Sequence, residues 1–297
     1  AWEEVQELIA RDAVDLLLIS PARLNNPQFR DEMLPLFAAR VGLLVVDEAH
    51  CISDWGHDFR PDYRRIRDLL QLLPAETPVL ATTATANARV VADVSEQLAS
   101  GGREVVTLRG SLDRESLRLG VLRLPGADKR IGWLGDHLGD LQGSGIIYTL
   151  TVSTADEVAA FLRGRGHEVA SYTGRTDDAE RLEAEQALLH NKVKALVATS
   201  ALGMGFDKPD LGFVVHLGAP QSPIAYYQQV GRAGRGVERA DVLLLPGRED
   251  EEIWRYFAAL AFPSAGWRKG ALLASLAFPA YYLFLSFWLA GRLRRAV

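Results

Sequence analysis

The chain has 297 residues, which is enough for about two domains that each bury a core of their own. Its composition, 48% hydrophobic and 24% charged residues, is near the average for soluble globular proteins and excludes the disordered and fibrous classes. The net charge of -5 argues against a uniformly basic nucleic-acid coat protein, although a local basic groove is compatible with it.

The single cysteine, Cys51, excludes an internal disulfide and a multi-cysteine zinc cluster. We therefore expect no disulfide partner, no zinc and a reducing, cytoplasmic compartment. The first residues, AWEEVQELIARDAVD, lack the basic and then apolar pattern of a signal peptide. We expect them to come from the interior of a protein.

Short apolar runs alternate with longer runs of helical period along the chain, which predicts parallel βα units and an α/β fold. The predicted strands are 15–19, 41–46, 78–82, 104–108, 117–124, 144–150, 167–172, 193–199, 211–217 and 240–245. The predicted helices include 60–73, 87–99, 154–165 and 177–190.

A polar stretch at 110–117, GSLDRESL, separates two sets of predicted strands and indicates a boundary between two α/β lobes. We expect a first lobe at 1–114, a second lobe at 115–262 and an apolar tail at 263–297. In open parallel sheets the loops after the strands hold the ligands, and the polar motifs of this chain follow predicted strands.

The first such motif, LLVVDEAH, places Asp47 and Glu48 directly after a buried strand. An aspartate at such a position holds Mg²⁺ beside nucleotide phosphates, and the adjacent glutamate orients or activates the attacking water. His50 is placed to hydrogen-bond a neighbouring motif. Taken alone, the Asp-Glu pair also fits a capped, solvated turn.

The longer stretch DEAHCISDWGHDFRP, at 47–61, resembles the RecQ family of superfamily 2 DNA helicases. The resemblance implies two RecA-like parallel-sheet lobes, ATP and Mg²⁺ as cofactors, and single-stranded or partly duplex DNA unwound in the 3′ to 5′ direction. In that family an aromatic-rich loop after the DEAH box senses single-stranded DNA and couples it to ATP hydrolysis. The resemblance gives this role to Trp55, His57, Phe59, Arg60 and Tyr63. Aromatic faces stack on bases without reading sequence, and an arginine adds phosphate contact.

Further segments resemble the family's other motifs in the same order. LATTATANARV, at 80–90, resembles the third motif, in which Thr83 and Thr85 link the nucleotide to movement between the lobes. Thr82 stands where the family usually has an apolar residue. The plainer alternative is a strand end followed by a capped helix.

In the second lobe, ATSALGMGFDKPDLGFVVH, at 198–216, resembles the fifth motif. The resemblance implies that Thr199 and Ser200 contact the DNA backbone and that Asp207 lies near the nucleotide.

The segment YYQQVGRAGRG, at 226–236, resembles the family's sixth motif. The resemblance implies that Gln229, Arg232 and Arg235 face the phosphates, where an arginine stabilises the charge of the transferred phosphoryl group. By itself, such a run also fits a solvated basic turn.

The chain contains no Gly-Lys pair, so the loop that cradles phosphates in such an ATPase is missing from its sequence. In the RecQ family this loop precedes the region that the chain resembles. We therefore expect an N-terminally truncated first lobe with an open sheet edge, and very slow or no ATP hydrolysis by this chain alone.

The tail carries 22 residues without a charge, at 270–291, which is long enough to span a bilayer. Arginines follow this run, and with a cytosolic helicase lobe they would lie outside, against the positive-inside bias. A membrane association is thus open but not favoured over a helix buried against the second lobe or a replaced end.

Two hypotheses follow. The first is an ATP-dependent RecQ-type DNA helicase core in a truncated chain. The second is a non-catalytic remnant that binds nucleic acid or a partner, which the missing phosphate loop favours.

Overall fold

The computed structural model describes residues 2–53, 61–99, 104–111, 113–203 and 205–261. The chain divides into two compact units, Ala1–Ser111 and Leu112–Val297. Each unit is built on a parallel sheet, so the predicted α/β class with two parallel-sheet lobes is confirmed. The exact bounds of the three predicted segments stay predictions.

The first unit combines a small parallel sheet with short helices. Its elements are α1 (Trp2–Ala10), α2 (Leu34–Ala38), β1 (Leu44–Val46), α3 (Arg65–Leu72), β2 (Val79–Ala81) and α4 (Ala88–Leu98). Strand β1 pairs in parallel with β2, so that Val46 lies beside Ala81 at the carboxyl end of both strands.

The two faces of this small sheet differ in burial. Val46 belongs to a core that includes Leu34, Leu70 and Val90. On the other face Val45 is 52% exposed, although parallel sheets generally have both faces covered. The core of the first unit therefore lies on one side of its sheet among the described residues.

Two of the predicted strands, 15–19 and 104–108, are wrong, because neither stretch pairs as a strand. Leu17 packs partly on the core of the first unit, whereas Leu16 and Leu18 are 75% and 84% exposed. The alternating pattern at 15–19 thus reflects an extended segment in which Leu17 packs on the core while Leu16 and Leu18 are exposed. No neighbouring strand in the described part of the unit supplies backbone partners.

The predicted helix at 60–73 is a regular α-helix only in its second half. A 3₁₀ turn at Pro61–Arg64 leads into α3. The buried residues Ile66, Leu69 and Leu70 recur at helical spacing and anchor α3 to the core.

The second unit is a larger alternation of strands and helices. Its strands are β3 (Leu117–Val121), β4 (Ser144–Thr149), β5 (Val169–Tyr172), β6 (Ala195–Ala198), β7 (Leu211–Leu217) and β8 (Ala240–Leu245). Its helices are α5 (Ala127–His137), α6 (Val152–Gly164), α7 (Asp178–Leu189), α8 (Pro223–Val230) and α9 (Asp250–Ala261). The strands form one parallel sheet in the order β3-β8-β7-β4-β6-β5.

Both faces of this sheet are covered, which explains why its central strands are apolar throughout. Ile147 points into one core with Leu134 and Val158, on the side of α5 and α6. Ile146 points into the other core with Leu188, on the side of α7. Period-2 alternation therefore supplies two cores at once, and β4 and β7 are buried along their whole length.

Side-chain caps fix the starts of several helices beyond the strand ends. Asn87, Thr151, Asp177 and Ser222 each accept a hydrogen bond from the amide three residues later. Such caps satisfy amides that have no partner inside the helix and typically contribute about 1 kcal/mol each.

The predicted apolar tail, with its uncharged run at 270–291, lies outside the described residues. Over residues 2–261, leaving aside the gaps given above, no helix combines the length and the apolar character that a bilayer crossing needs.

Gly212 marks an irregularity where β7 meets the start of β4. The register shifts there, since Ser144 lies opposite Leu211 and Gly145 opposite Phe213. A Cβ atom at Gly212 would lie within clash distance, 2.1 Å, of the Gln142 carbonyl oxygen. Because that neighbour is backbone, it has little freedom to move aside.

We expect Gly212→Ala to lower the free energy of unfolding by about 1–3 kcal/mol, the usual cost of overpacking a well-filled site. Urea denaturation measures the effect. Gly139→Ala is the matched control, because a Cβ atom at Gly139 meets nothing within 4 Å. Equal unfolding midpoints for the two variants would contradict the close approach.

Candidate functional site

The parallel pairing of β1 and β2 brings two motifs together at one edge of the first unit. Asp47 follows β1 and Thr82 follows β2. The Thr82 hydroxyl donates to Asp47 Oδ1 at 2.7 Å, and the Glu48 amide donates to the same oxygen at 2.9 Å. The carboxylate is exposed and held in one orientation.

Glu48 and His50 turn back towards the third motif. Glu48 has a left-handed backbone with φ of 50°, a conformation that is uncommon for residues other than glycine. Its Oε2 lies 3.1 Å from His50 Nδ1, and the same nitrogen lies 2.9 Å from Thr83 Oγ1. The His50 side chain is fully buried, and its ring nitrogen is in hydrogen-bond contact with Thr83 of the third motif.

The threonine pair of the third motif forms a tight turn. The Thr85 amide donates to Thr83 Oγ1 at 3.3 Å. The Thr85 hydroxyl is buried and has no hydrogen-bond partner in the described part of the chain.

Tyr63 reaches the same edge of the first unit. Its hydroxyl donates to the Asp47 carbonyl oxygen at 3.4 Å. Trp55, His57, Phe59 and Arg60, the other members of the predicted aromatic-rich loop, lie outside the described residues.

Thr199 and Ser200 follow β6 in the second unit, one buried and one exposed. Thr199 is 8% exposed, and its hydroxyl accepts a hydrogen bond from the Ala201 amide at 3.3 Å. Ser200 is exposed and lines a cavity of about 360 Å³ together with Tyr148, His216 and Gln229. Of the two predicted DNA contacts, Ser200 is therefore the more accessible side chain.

The two arginines of the sixth motif have different environments. The Arg232 side chain is buried and donates to two carbonyl oxygens, of Phe206 at 2.9 Å and of Gly203 at 2.6 Å. It fastens the turn after β6 to the end of α8.

Arg235 is 48% exposed and forms an ion pair with Asp207 at 3.0 Å. Its Nε donates to the Gly231 carbonyl oxygen at 3.2 Å. Two residues predicted separately, Asp207 from the fifth motif and Arg235 from the sixth, are thus brought together at the surface of the second unit.

Gln229 is held by a histidine that the sequence analysis did not select. His216 Nε2 donates to Gln229 Oε1 at 2.9 Å. The His216 ring stacks on Tyr148, with ring centroids 5.4 Å apart, and lies 5.1 Å from the ring of Tyr226. The strand register explains the stack, because Tyr148 on β4 lies directly opposite His216 on β7.

Burial controls the ionisation of this cluster. Desolvation lowers the pKa of His216 to about 4, against the opposing effect of the Gln229 hydrogen bond. Desolvation raises the pKa of Tyr148 to about 12, against the opposing effect of the nearby Arg232 charge. Burial also raises the pKa of Tyr226 to about 12. His216 is therefore neutral at pH 7.

Two positioning side chains, Thr82 and His216, escaped the sequence analysis. Thr82 was noted only as a departure from the family pattern, yet it holds Asp47. His216 is a single polar residue inside the apolar strand LGFVVHL, and that isolation was the available signal.

The first unit offers a carboxylate suited to Mg²⁺ but no complete metal cage. Within the described ranges no group of three or more His, Cys, Asp or Glu side chains is arranged to hold a metal ion. Mg²⁺ generally takes one or two protein carboxylates and completes its shell with phosphates and water. Asp47, exposed and oriented at the end of a strand, fits that requirement.

The neutral His216 predicts a pH-dependent stability. Its folded pKa lies below the ordinary value of 6.5, so the unfolded chain binds more protons between pH 6.5 and about 4. Stability from this group is complete above pH 6.5 and falls by roughly 3 kcal/mol as the pH drops through that window. His216→Phe keeps an aromatic ring but cannot titrate.

Urea denaturation at pH 7, 6, 5 and 4.5 measures the difference between the two proteins. We expect the stability of the wild type to fall more steeply with decreasing pH than that of His216→Phe. Parallel curves would contradict the neutral, buried state of His216.

Comparison with known proteins agrees with this arrangement of motifs. Residues 1–94 match the family model described as DEAD/DEAH box helicase, and residues 130–237 match the helicase conserved C-terminal domain. The solved structures include Dbp5 of S. cerevisiae, with a TM-score of 0.62 and 20% identity, covering 88% of this chain and 67% of that one. Helicase Lhr of Mycobacterium smegmatis has a TM-score of 0.56 and 20% identity over 84% of this chain and 31% of its own. These likenesses confirm two RecA-like lobes.

The curated relatives define the family. The ATP-dependent DNA helicase RecQ of Bacillus subtilis is 35% identical over 82% of this chain and 40% of its own length. The RecQ-like DNA helicase BLM of Xenopus laevis is 38% identical over 69% of this chain and 15% of its own length. The chain thus spans less than half the length of these relatives. With both helicase models matched and these identities, the chain belongs to the RecQ family of superfamily 2 helicases.

Proposed function

We propose that this chain carries the nucleotide-responding and DNA-binding parts of a RecQ-type ATP-dependent DNA helicase. The observation that carries the proposal is two charged side chains at motif positions, an oriented Asp47 in the first unit and a half-exposed Arg235 paired with Asp207 in the second. The relatives named ATP-dependent DNA helicases support the same activity.

In the first unit, Asp47 is the residue that would hold Mg²⁺. The bound ion would neutralise phosphate charge while ATP is hydrolysed. Thr82 keeps the carboxylate in place, since a hydroxyl that donates to Oδ1 restricts rotation of the Asp47 side chain. Glu48, whose Oε2 lies 3.1 Å from His50 Nδ1, would act on the attacking water.

The His50–Thr83 contact links this carboxylate pair to the third motif. His50 is buried and contacts both Glu48 and Thr83 through the same ring nitrogen, so a displacement of either residue would shift the contact to the other. We infer that this contact is how the first unit reports the state of the nucleotide to Thr83 and Thr85.

In the second unit, Arg235 is the arginine that would meet the phosphates. Its guanidinium exchanges the exposed Asp207 for a phosphate, an exchange that costs little because the ion pair is solvated. Arg232 has its two terminal nitrogens on backbone carbonyls and so keeps the motif folded. Gln229, fixed by His216, orients the neighbouring phosphate contact.

Single-stranded or partly duplex DNA is the proposed substrate. Ser200, exposed after β6, would contact the DNA backbone. The buried Thr199 supports the same turn, since its hydroxyl accepts from the Ala201 amide. The aromatic residues of the predicted loop, Trp55, His57, Phe59 and Tyr63, would stack on bases, and Arg60 would add a phosphate contact. Unwinding in the 3′ to 5′ direction and a cytoplasmic location belong to the same proposal.

The experiment combines DNA binding with ATP turnover. We expect the chain to bind an oligothymidine single strand and to hydrolyse ATP very slowly or not at all, because no Gly-Lys phosphate loop occurs in its 297 residues. Any turnover that rises with the DNA should fall to background in Asp47→Ala. Fluorescence anisotropy measures the binding and phosphate release measures the turnover.

The arginine assignment is tested in the same assay with a matched pair of variants. Arg235→Ala should lower any DNA-stimulated turnover to background, because this arginine would stabilise the charge of the transferred phosphoryl group. Arg239→Ala removes an exposed arginine near the same motif, paired with Asp241, and should change turnover little. DNA binding without Asp47-dependent turnover would instead favour a nucleic-acid-binding remnant. Loss of both activities would contradict the proposal.

A further inference from the structure

Arg114, which lies in the polar stretch between the two units, is bound to the arginine turn of the second unit. Its Nη1 donates to the Gly231 carbonyl oxygen at 2.7 Å and its Nη2 donates to the Gly234 carbonyl oxygen at 2.9 Å. The arginine turn, residues 231–236, connects α8 to the residues before β8. Arg114 is the third residue of the second unit.

Ser116 adds a third bond from the same stretch. Its hydroxyl donates to the Gly234 carbonyl oxygen at 2.8 Å, and its own carbonyl accepts from the Ala240 amide at 2.7 Å. Gly234 has φ of 69°, and a Cβ atom there would lie 2.7 Å from Ser116 Oγ. The turn therefore closes directly against residues 114–117.

The bond to Gly231 places Arg114 one hydrogen bond away from Arg235. The Gly231 carbonyl oxygen accepts both from Arg114 Nη1 at 2.7 Å and from Arg235 Nε at 3.2 Å. A shift of this carbonyl changes the acceptor of Arg235, whose other contact is the exposed Asp207.

We propose that Arg114 is a positioning residue for the arginine turn and sets the orientation in which Arg235 meets a phosphate. The inference rests on the proposed function for the use that the protein makes of Arg235. Arg114 is the third residue of the second unit, so the start of this unit is hydrogen-bonded directly to the arginine turn.

Arginine suits this task better than lysine. The two carbonyls lie three residues apart and are reached by the two ends of one planar guanidinium. A lysine ammonium is a compact donor on a flexible stem, so it reaches one carbonyl and leaves the other. Without the Arg114 guanidinium, Ser116 would still donate to the Gly234 carbonyl oxygen, but the Gly231 carbonyl oxygen would lose the Arg114 donor.

The test follows the turn in the free protein by NMR. Arg235 Nε–H gives a side-chain signal that reports its bond to Gly231, and the Gly234 and Gly236 amides are bonded inside the second unit, to Leu211 and Pro209. In Arg114→Ala we expect the Arg235 signal to move to the position of a solvent-exposed arginine. Exchange of the two amides should become at least tenfold faster.

Three further variants separate positioning from folding. Arg114→Lys should restore only part of the Arg235 signal, and Ser116→Ala should speed exchange at Gly234 while leaving the Arg235 signal in place. Arg118→Ala, an exposed arginine on β3, should change neither. Amide protection in β7 and β8 serves as the check on the fold.

An unchanged Arg235 signal in folded Arg114→Ala would overturn the proposal. So would a loss of protection in β7 and β8 together with the turn in both Arg114→Ala and Arg114→Lys, since that result makes Arg114 a general stabilising residue. The NMR experiment uses no nucleotide, so its outcome does not depend on ATP turnover. A loss of both DNA binding and ATP turnover would contradict the proposed function, and the NMR data would still show whether Arg114 positions Arg235.

Discussion

In each unit the strands pair in parallel, so their carboxyl ends meet at one edge of the sheet. That constraint places Asp47 beside Thr82 in the first unit and brings His216 beside Tyr148 in the second. Residues more than thirty positions apart in sequence become direct neighbours because the register of the paired strands fixes their positions. The helices add their capped starts at the same edge, which is where ligands of parallel α/β sheets bind.

The second unit uses one residue type for two purposes. Arg232 and Arg235 are three residues apart, yet one donates inward to carbonyl groups and the other faces solvent beside a carboxylate. The carbonyl oxygens of Gly203 and Phe206 accept from both terminal nitrogens of Arg232, while its buried Nε has no hydrogen-bond partner among the described residues. The turn thus presents one half-exposed arginine, Arg235, beside the Asp207 carboxylate.

The sequence predicted much of the second unit because its signals were strong there. Strands β7 and β8 have the predicted bounds, since continuous apolar runs that end in glycine or proline leave few alternatives. In the first unit the runs at 15–19 and 104–108 have the pattern of strands but pair with no strand among the described residues, and pairing is a property that no single segment contains. Thr82, His216 and Arg114 were missed for the same reason, because each acts through a contact distant in sequence.

Glu48 shows a conflict between local stability and the work of the site. Its left-handed backbone costs about 1 kcal/mol or more for a residue with a Cβ atom, and glycine would adopt the same φ of 50° without that penalty. A chain selected for stability alone would have glycine or asparagine at this position, but glycine has no carboxylate to place near His50. The first unit therefore gives up some of its folding free energy to place a carboxylate near His50, and a substitution by glycine would gain stability only by removing that carboxylate.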